Sequence, residues 1–237
     1  MKHLQFVDEY GSFSIEQPEN ISYLYFPLAS ETGLKSSLTP NLGGDTKTDQ
    51  ETFLLEPVSA ENLHNNRSVR NFWLVCEKEG VFSASGASAE QEAVKFTDLQ
   101  DQSKITAGFM WHTLERISSA LSLETRITSF IPVNDNVEIM HITVRNRSDS
   151  TKDLIPYAAL PIYGRSADNI RDHRNVTSML HRIRTNSHGV LVRPTMSFDE
   201  RGHRPNTKIY YVCGCNDNGQ APESFYPTVE DFLGEGG

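Results

Sequence analysis

The chain has 237 residues, 37% of them hydrophobic, with 22 Lys and Arg against 31 Asp and Glu and a formal net charge of −9 at pH 7. A balance this acidic argues against duplex nucleic acid or an anionic membrane as the main partner, because both need a positive field. No apolar run has the length of a signal peptide or a membrane span, so a cytoplasmic protein is expected. Eleven prolines and fifteen glycines are spread through short loops with no Gly/Ser-rich or Pro-rich linker, which favours one domain over residues 1–237. Three cysteines do not make a disulfide framework. Cys76, in the apolar run Phe72 to Cys76, reads as a buried free thiol. Cys213 and Cys215 form a single pair with no second pair and no histidine at finger spacing, so no metal is expected.

In chain order the pattern is one of short strands broken by turns. Phe13 and Ile15 alternate with serines, as a half-buried strand does. Tyr23 to Leu28 is apolar but contains Pro27, which places it at a sheet edge or a strand end. Asn41-Leu42-Gly43-Gly44-Asp45 reads as a loop whose glycines are free to take positive φ. Phe53 to Val58 and Phe72 to Cys76 are strand candidates, and Glu79-Gly80 turns the second into Val81 to Ser83. Ser88 to Val94 is rich enough in Ala, Glu and Gln for a helix of about two turns.

The middle of the chain is strongly β. Leu121, Leu123, Thr125, Ile127 and Ile131 share one parity, which predicts a strand with one buried face, and Asn134-Asp135-Asn136 turns it into a second strand over Val137 to Val144. Apolar parity shifts between Ile139 and Met140, which suggests a bulge, and His141 reads as a structural histidine. Leu154 to Ile162, Val190 to Val192 and Ile209 to Cys213 are further strands, the last two joined by the polar segment Ser197 to Asn206. Thr228 to Gly234 fits a single-turn helix with Thr228 as cap and Gly234 as stop. Many short strands with almost no helix predict an all-β, antiparallel two-sheet sandwich.

One stretch departs from this scaffold pattern. Between Arg165 and Arg174 three arginines interleave with Asp168 and Asp172, ending the apolar alternation. From Arg165 to Arg204 there are eight arginines, no lysine and four acids, with His173, His181, His188 and His203, so an acidic protein carries one basic segment. Arginine offers a planar, permanently charged fork to oxyanions or sugar hydroxyls. The same composition also fits a solvated loop whose arginines and aspartates pair with one another.

Three blocks together carry a family resemblance. Phe130 to Ile139, followed by Ile142 to Asp149, resembles a strand pair in the N-terminal β-domain of glycoside hydrolase family ninety-four, the inverting disaccharide and oligosaccharide phosphorylases. Ala167 to Asn175 is similar to an Asp-, Asn- and Arg-containing loop of that family, and Val229 to Gly237 to its Phe-Leu-Gly and Gly-rich closing turn. Tyr25 to Leu28, Asn41 to Asp45, Thr52 to Val58 and Asn71 to Trp73 look most like the 1,2-β-oligoglucan phosphorylase branch.

The resemblance implies a galactose mutarotase-like supersandwich and a role in cleaving β-1,2-linked glucooligosaccharides with inorganic phosphate, giving α-glucose 1-phosphate with no cofactor. Inverting phosphorolysis needs a carboxylic acid on the leaving oxygen and positive groups around the phosphate. In the family both belong to an α-helical barrel that follows the β-domain, so no catalytic residue is expected in this chain, which looks like the N-terminal part of a longer enzyme. Because the family's β-domain packs near the partner subunit's cleft in a homodimer, the resemblance makes Arg165, Asp168, Arg171, Asp172, His173 and Arg174 candidates for sugar-acceptor or subunit-interface contacts. The alternative is a free-standing carbohydrate-binding or interaction module. A mutarotase-like enzyme would need a catalytic glutamate and histidine pair, which the sequence does not place.

Overall fold

The computed structural model describes residues 4–21, 24–57, 69–167, 179–199 and 201–234. Nearly all regular structure among them is antiparallel β, as the strand and turn pattern predicts. The chain forms two compact units, Met1–Thr48 with Val58–Pro161 and Asp49–Pro57 with Ile162–Gly237.

The first unit is built on a six-stranded sheet of β1 (Leu4–Phe6), β2 (Phe13–Glu16), β9 (Gln102–Gly108), β10 (Trp111–Ser118), β11 (Leu123–Phe130) and β12 (Ile139–Asn146), in that spatial order. Facing it are the meander of β3 (Phe26–Ala29), β4 (Lys35–Leu38) and β5 (Thr46–Asp49), and a sheet in which β7 (Asn71–Cys76) lies between β13 (Leu154–Ala159) and β8 (Gly80–Ser83). Pro27 lies in β3, at the sheet edge where a missing N–H does least harm. Helix α1 (Ala89–Ala93) is capped by Ser88, whose hydroxyl accepts from the Gln91 N–H.

Register explains the core. Ile15, Ile105, Leu114, Ile127 and Ile142 sit opposite one another on successive strands, forming one apolar rung across the inner face. The first four are at most 1% exposed, and Ile105, Leu114 and Ile127 pack with Phe26, Leu28 and Leu38 of the facing meander. Full burial of such a side chain contributes about 1.5–3 kcal/mol. On either side of this rung the inward positions turn polar, with His112 and Ser129 on one flank and Ser103, Arg116 and Thr125 on the other.

The outer face is ordered in the same way. Trp111 pairs with Gly108 and Phe130, and Phe130 with Ile139, giving an aromatic rung. The next rung is Ser14, Thr106, Thr113, Thr128 and His141, and the next Glu16, Lys104, Glu115 and Arg126. A Cβ at Gly108 would lie 2.6 Å from the Trp111 indole nitrogen, so glycine is what allows the ring to rest against the strand.

Strands β11 and β12 pair from Leu123 with Asn146 to Phe130 with Ile139, as the alternation predicts. Two expectations fail in β12. The register is continuous, so there is no bulge at Ile139–Met140; the apparent break in parity arises because Glu138 takes an inward position, next to inward Met140. His141 is exposed on the outer face, and the enclosed histidine is His112.

The second unit contains β6 (Thr52–Leu55), a sheet of β14 (His181–Thr185), β15 (Gly189–Pro194) and β18 (Tyr210–Cys213), the hairpin β16 (Met196–Asp199) with β17 (Gly202–Pro205), and helix α2 (Val229–Leu233). The polar segment Ser197 to Asn206, read as a connection, is therefore mostly this hairpin. In α2 the Thr228 hydroxyl accepts from the Asp231 N–H and Gly234, at φ 75°, ends the helix. Phe53, Leu55, Tyr163, Val192 and Tyr210 are the buried hydrophobic side chains among the described residues of this unit.

Candidate functional site

The chemistry-bearing stretch of the sequence enters the second unit at Tyr163. Segment 163–167 runs antiparallel to β6: the Phe53 N–H donates to the Arg165 carbonyl at 3.0 Å and the Tyr163 N–H to the Leu54 carbonyl at 2.8 Å. The Ala167 N–H closes the run on the Gln50 carbonyl at 2.9 Å. Gly164 takes φ 65°, and a Cβ there would meet Pro194 at 3.3 Å and His181 Nε2 at 3.4 Å.

Arg165 is 6% exposed. Its Nε donates to the Tyr163 carbonyl at 3.3 Å and its guanidinium carbon lies 4.3 Å from the Tyr163 ring centroid. The Tyr163 hydroxyl in turn donates to the Ser166 carbonyl at 3.0 Å. A cation stacked on an aromatic face and held by a backbone carbonyl is rigidly placed. Arg165 therefore holds the base of the Arg/Asp-rich loop against β6. Asp168, Arg171, Asp172, His173 and Arg174 lie outside the described residues.

Burial suppresses the ionisation of two side chains of this unit. Burial first, and the Arg165 charge second, lower the His181 pKa to about 4, so its imidazole is neutral at pH 7. Burial and then Asp49 push the Tyr210 hydroxyl well above its usual range. His181 Nε2 and the Tyr210 hydroxyl are both enclosed without a hydrogen-bond partner among the described residues. The base of the loop thus combines a fixed guanidinium with a neutral imidazole.

In the first unit the charged groups are equally enclosed but paired. Arg70 is 1% exposed and meets Glu138 across 2.5 Å from Nε to Oε1 and 3.2 Å from Nη2 to Oε2. The same guanidinium donates to the carbonyls of Leu42, Gly43 and Gly44 at 3.1–3.3 Å, and to the Ser36 and Thr46 hydroxyls. It thereby closes the Asn41 to Asp45 loop around itself. Arg116, also 1% exposed, faces Glu19 at 3.0 Å and Asp101 at 4.0 Å.

Inverting glycoside chemistry requires a carboxyl that remains protonated near neutral pH. Asp101 is raised to about 6, chiefly by burial, with Arg116 opposing and Glu90 and Glu19 adding. Its side chain is 10% exposed and faces Arg116 at 4.0 Å. Arg70, Glu138, His112 and Arg116 went unread in the sequence analysis. The signal for three of them was parity: His112 and Arg116 flank Leu114 on the inward parity of β10, and Glu138 precedes β12 on the parity of inward Met140.

A family model described as glycosyl hydrolase 94, supersandwich domain, matches residues 49–237. The chain belongs to this family. The match spans all of the second unit and the first unit from Val58 onward. No curated protein matches the chain. The glycosyl hydrolase 94 domain thus has the nearly all-β architecture expected from its strand pattern, and the supersandwich description of the family model agrees with what the resemblance implies. Among the described residues no group of three or more His, Cys, Asp or Glu side chains is placed to hold a metal ion. No helix of the described residues is long and apolar enough to cross a membrane.

Proposed function

We propose that this chain is the N-terminal domain of an inverting glycoside phosphorylase acting on β-1,2-linked glucooligosaccharides, with inorganic phosphate as co-substrate and α-glucose 1-phosphate as product. The observation that carries the reading is the glycosyl hydrolase 94 supersandwich match over residues 49–237. The linkage rests on the resemblance of Tyr25 to Leu28, Asn41 to Asp45, Thr52 to Val58 and Asn71 to Trp73 to the 1,2-β-oligoglucan branch.

On this reading the domain is cytoplasmic, supplies no general acid and holds no phosphate. Its contribution is positional. Arg165 anchors the loop base, and Asp168, Arg171, Asp172, His173 and Arg174 present charge-assisted hydrogen bonds to the sugar acceptor or to the partner subunit of a homodimer. Burial of Arg165 supports the division of labour, because a guanidinium stacked on Tyr163 positions its neighbours better than it reaches a ligand.

The test is a linkage panel on the whole enzyme. Phosphate-dependent release of glucose 1-phosphate from sophorose oligomers, exceeding that from β-1,3- or β-1,4-linked glucose oligomers, supports the reading. Preference for another linkage removes the branch assignment and leaves the family.

A further inference from the structure

We propose that the edge of β14 left unpaired among the described residues accepts an extended acidic segment of a partner polypeptide as an added antiparallel or parallel strand. Strand β14 stands at one edge of the order β14-β15-β18, and Arg182 to Thr185 are exposed. Cross-strand register determines what it offers. Arg182 lies opposite Arg193 and Arg184 opposite Leu191, which in turn faces Tyr211. Arg182, Arg184, Leu191, Arg193 and Tyr211 therefore share one face of the sheet, while Ile183 and His181 take the other.

Like charges directly opposite one another on a sheet are destabilising. Arg182 and Arg193 form such a pair, and among the described residues neither of them, nor Arg184, is ion-paired with an acid. Arg182 Nη1 donates to the carbonyls of Met179 and His181, at 3.3 and 3.4 Å. The wider chain has net charge −9, so acidic side chains are abundant and yet none of the described ones pairs with these arginines. Arginine and tyrosine are the side chains that protein interfaces use most at their energetic centres. A face carrying three arginines without acids is complementary to carboxylates.

The backbone supplies the second half of the site. The turn closes with the Asn186 N–H donating to the Gly189 carbonyl at 3.0 Å, and the far end with the Thr195 N–H donating to the Leu180 carbonyl at 3.1 Å. Hydrogen-bonded pairs alternate along an antiparallel ladder. Arg182 and Arg184 therefore spend their N–H and C=O groups on β15, and those of His181, Ile183 and Thr185 point away from it, along the open edge. A strand laid on that edge would gain main-chain hydrogen bonds from these three residues and place alternate side chains over Arg182 and Arg184. The matching segment carries acids at every second position and apolar residues between them, over Ile183.

The proposal is tested by fluorescence anisotropy of the 237-residue chain with a labelled peptide of about eight residues alternating glutamate and valine. A peptide alternating lysine and valine, and a glutamate–valine peptide N-methylated on its edge-facing amides, serve as controls. Saturable binding of the first peptide alone is expected, weakened roughly tenfold or more by R182E with R184E. Ile183→Pro removes an outward N–H without touching the ladder to β15, and should abolish binding while leaving the melting curve in place. If that variant unfolds, failure of the N-methylated peptide to bind carries the same information. No binding at about 1 mM, or equal binding of the lysine peptide, overturns the proposal. Binding that survives both Ile183→Pro and N-methylation also overturns it, since a bare charge patch would then suffice.

Discussion

Arg70 and Glu138, 68 positions apart in sequence, meet as a two-point ion pair that is enclosed on all sides, with side chains 1% and 7% exposed. Burial alone would raise the Glu138 pKa; the Arg70 charge and hydrogen bonds from Arg70, Thr46 and Ser36 outweigh it and hold the carboxyl below its usual range. Such a pair contributes little over a well-packed apolar substitute, but leaving one half unpartnered is destabilising by about 3–5 kcal/mol. Urea unfolding of Arg70→Met and of Glu138→Leu should each show a loss of that order, and the double variant a loss well below the sum. Additive losses would mean that the two residues act separately. Because the folded pKa of Glu138 is depressed, its stabilisation is present above the unfolded value of 4.5 and is lost as pH falls through the folded one.

His112 sets a second pH dependence. Burial, and then the nearby Arg70 charge, lower its pKa from 6.5 to about 4, while Glu138 pulls the other way. The unfolded chain then binds a proton that the folded chain refuses, so stability falls as pH drops from about 6.5 to about 4, by about 3 kcal/mol in total. His112→Phe, which keeps a ring against Phe26, should flatten that part of the stability curve measured by urea unfolding. Asp101 acts in the opposite sense: its pKa, raised from 3.8 to about 6, gives stability that is fully present below 3.8 and lost as pH rises through 6. An unchanged slope in the His112 variant would contradict the assignment.

Gly44 is the tightest glycine of the loop that Arg70 gathers. It has φ 100°, and a Cβ there would lie 1.8 Å from the Ser37 carbonyl oxygen. Gly44→Ala should destabilise by roughly 2–4 kcal/mol through backbone strain and displacement of β4, read as a lower melting temperature. Gly33→Ala is the control, with a similar φ of 99° but open space around the added carbon; its loss should be markedly smaller.

The strand pattern was legible because β11 and most of β12 alternate with period two and have one buried face, and because Thr228 and Ser88 are good caps. What the alternation concealed was polar chemistry in inward positions. Glu138 looked like a break in parity because an isolated acid cannot be told from a surface residue until its partner, Arg70, is brought to it by folding. His112 and Arg116 share the parity of buried Leu114, yet a polar residue between apolar ones reads equally as an outward position. Arg165 was legible as a special residue, and its enclosure by Tyr163 and β6 emerged only from tertiary pairing.

The most direct measurement is of glucose 1-phosphate formed from sophorose oligomers and inorganic phosphate, by the 237-residue chain alone and by the whole enzyme. The account predicts none from the chain alone and, from the whole enzyme, α-glucose 1-phosphate at a kcat/KM that falls roughly ten- to a hundredfold in Arg171→Ala or Arg174→Ala. Phosphorolysis by the chain alone would contradict it, because the general acid and the phosphate site would then lie within these residues.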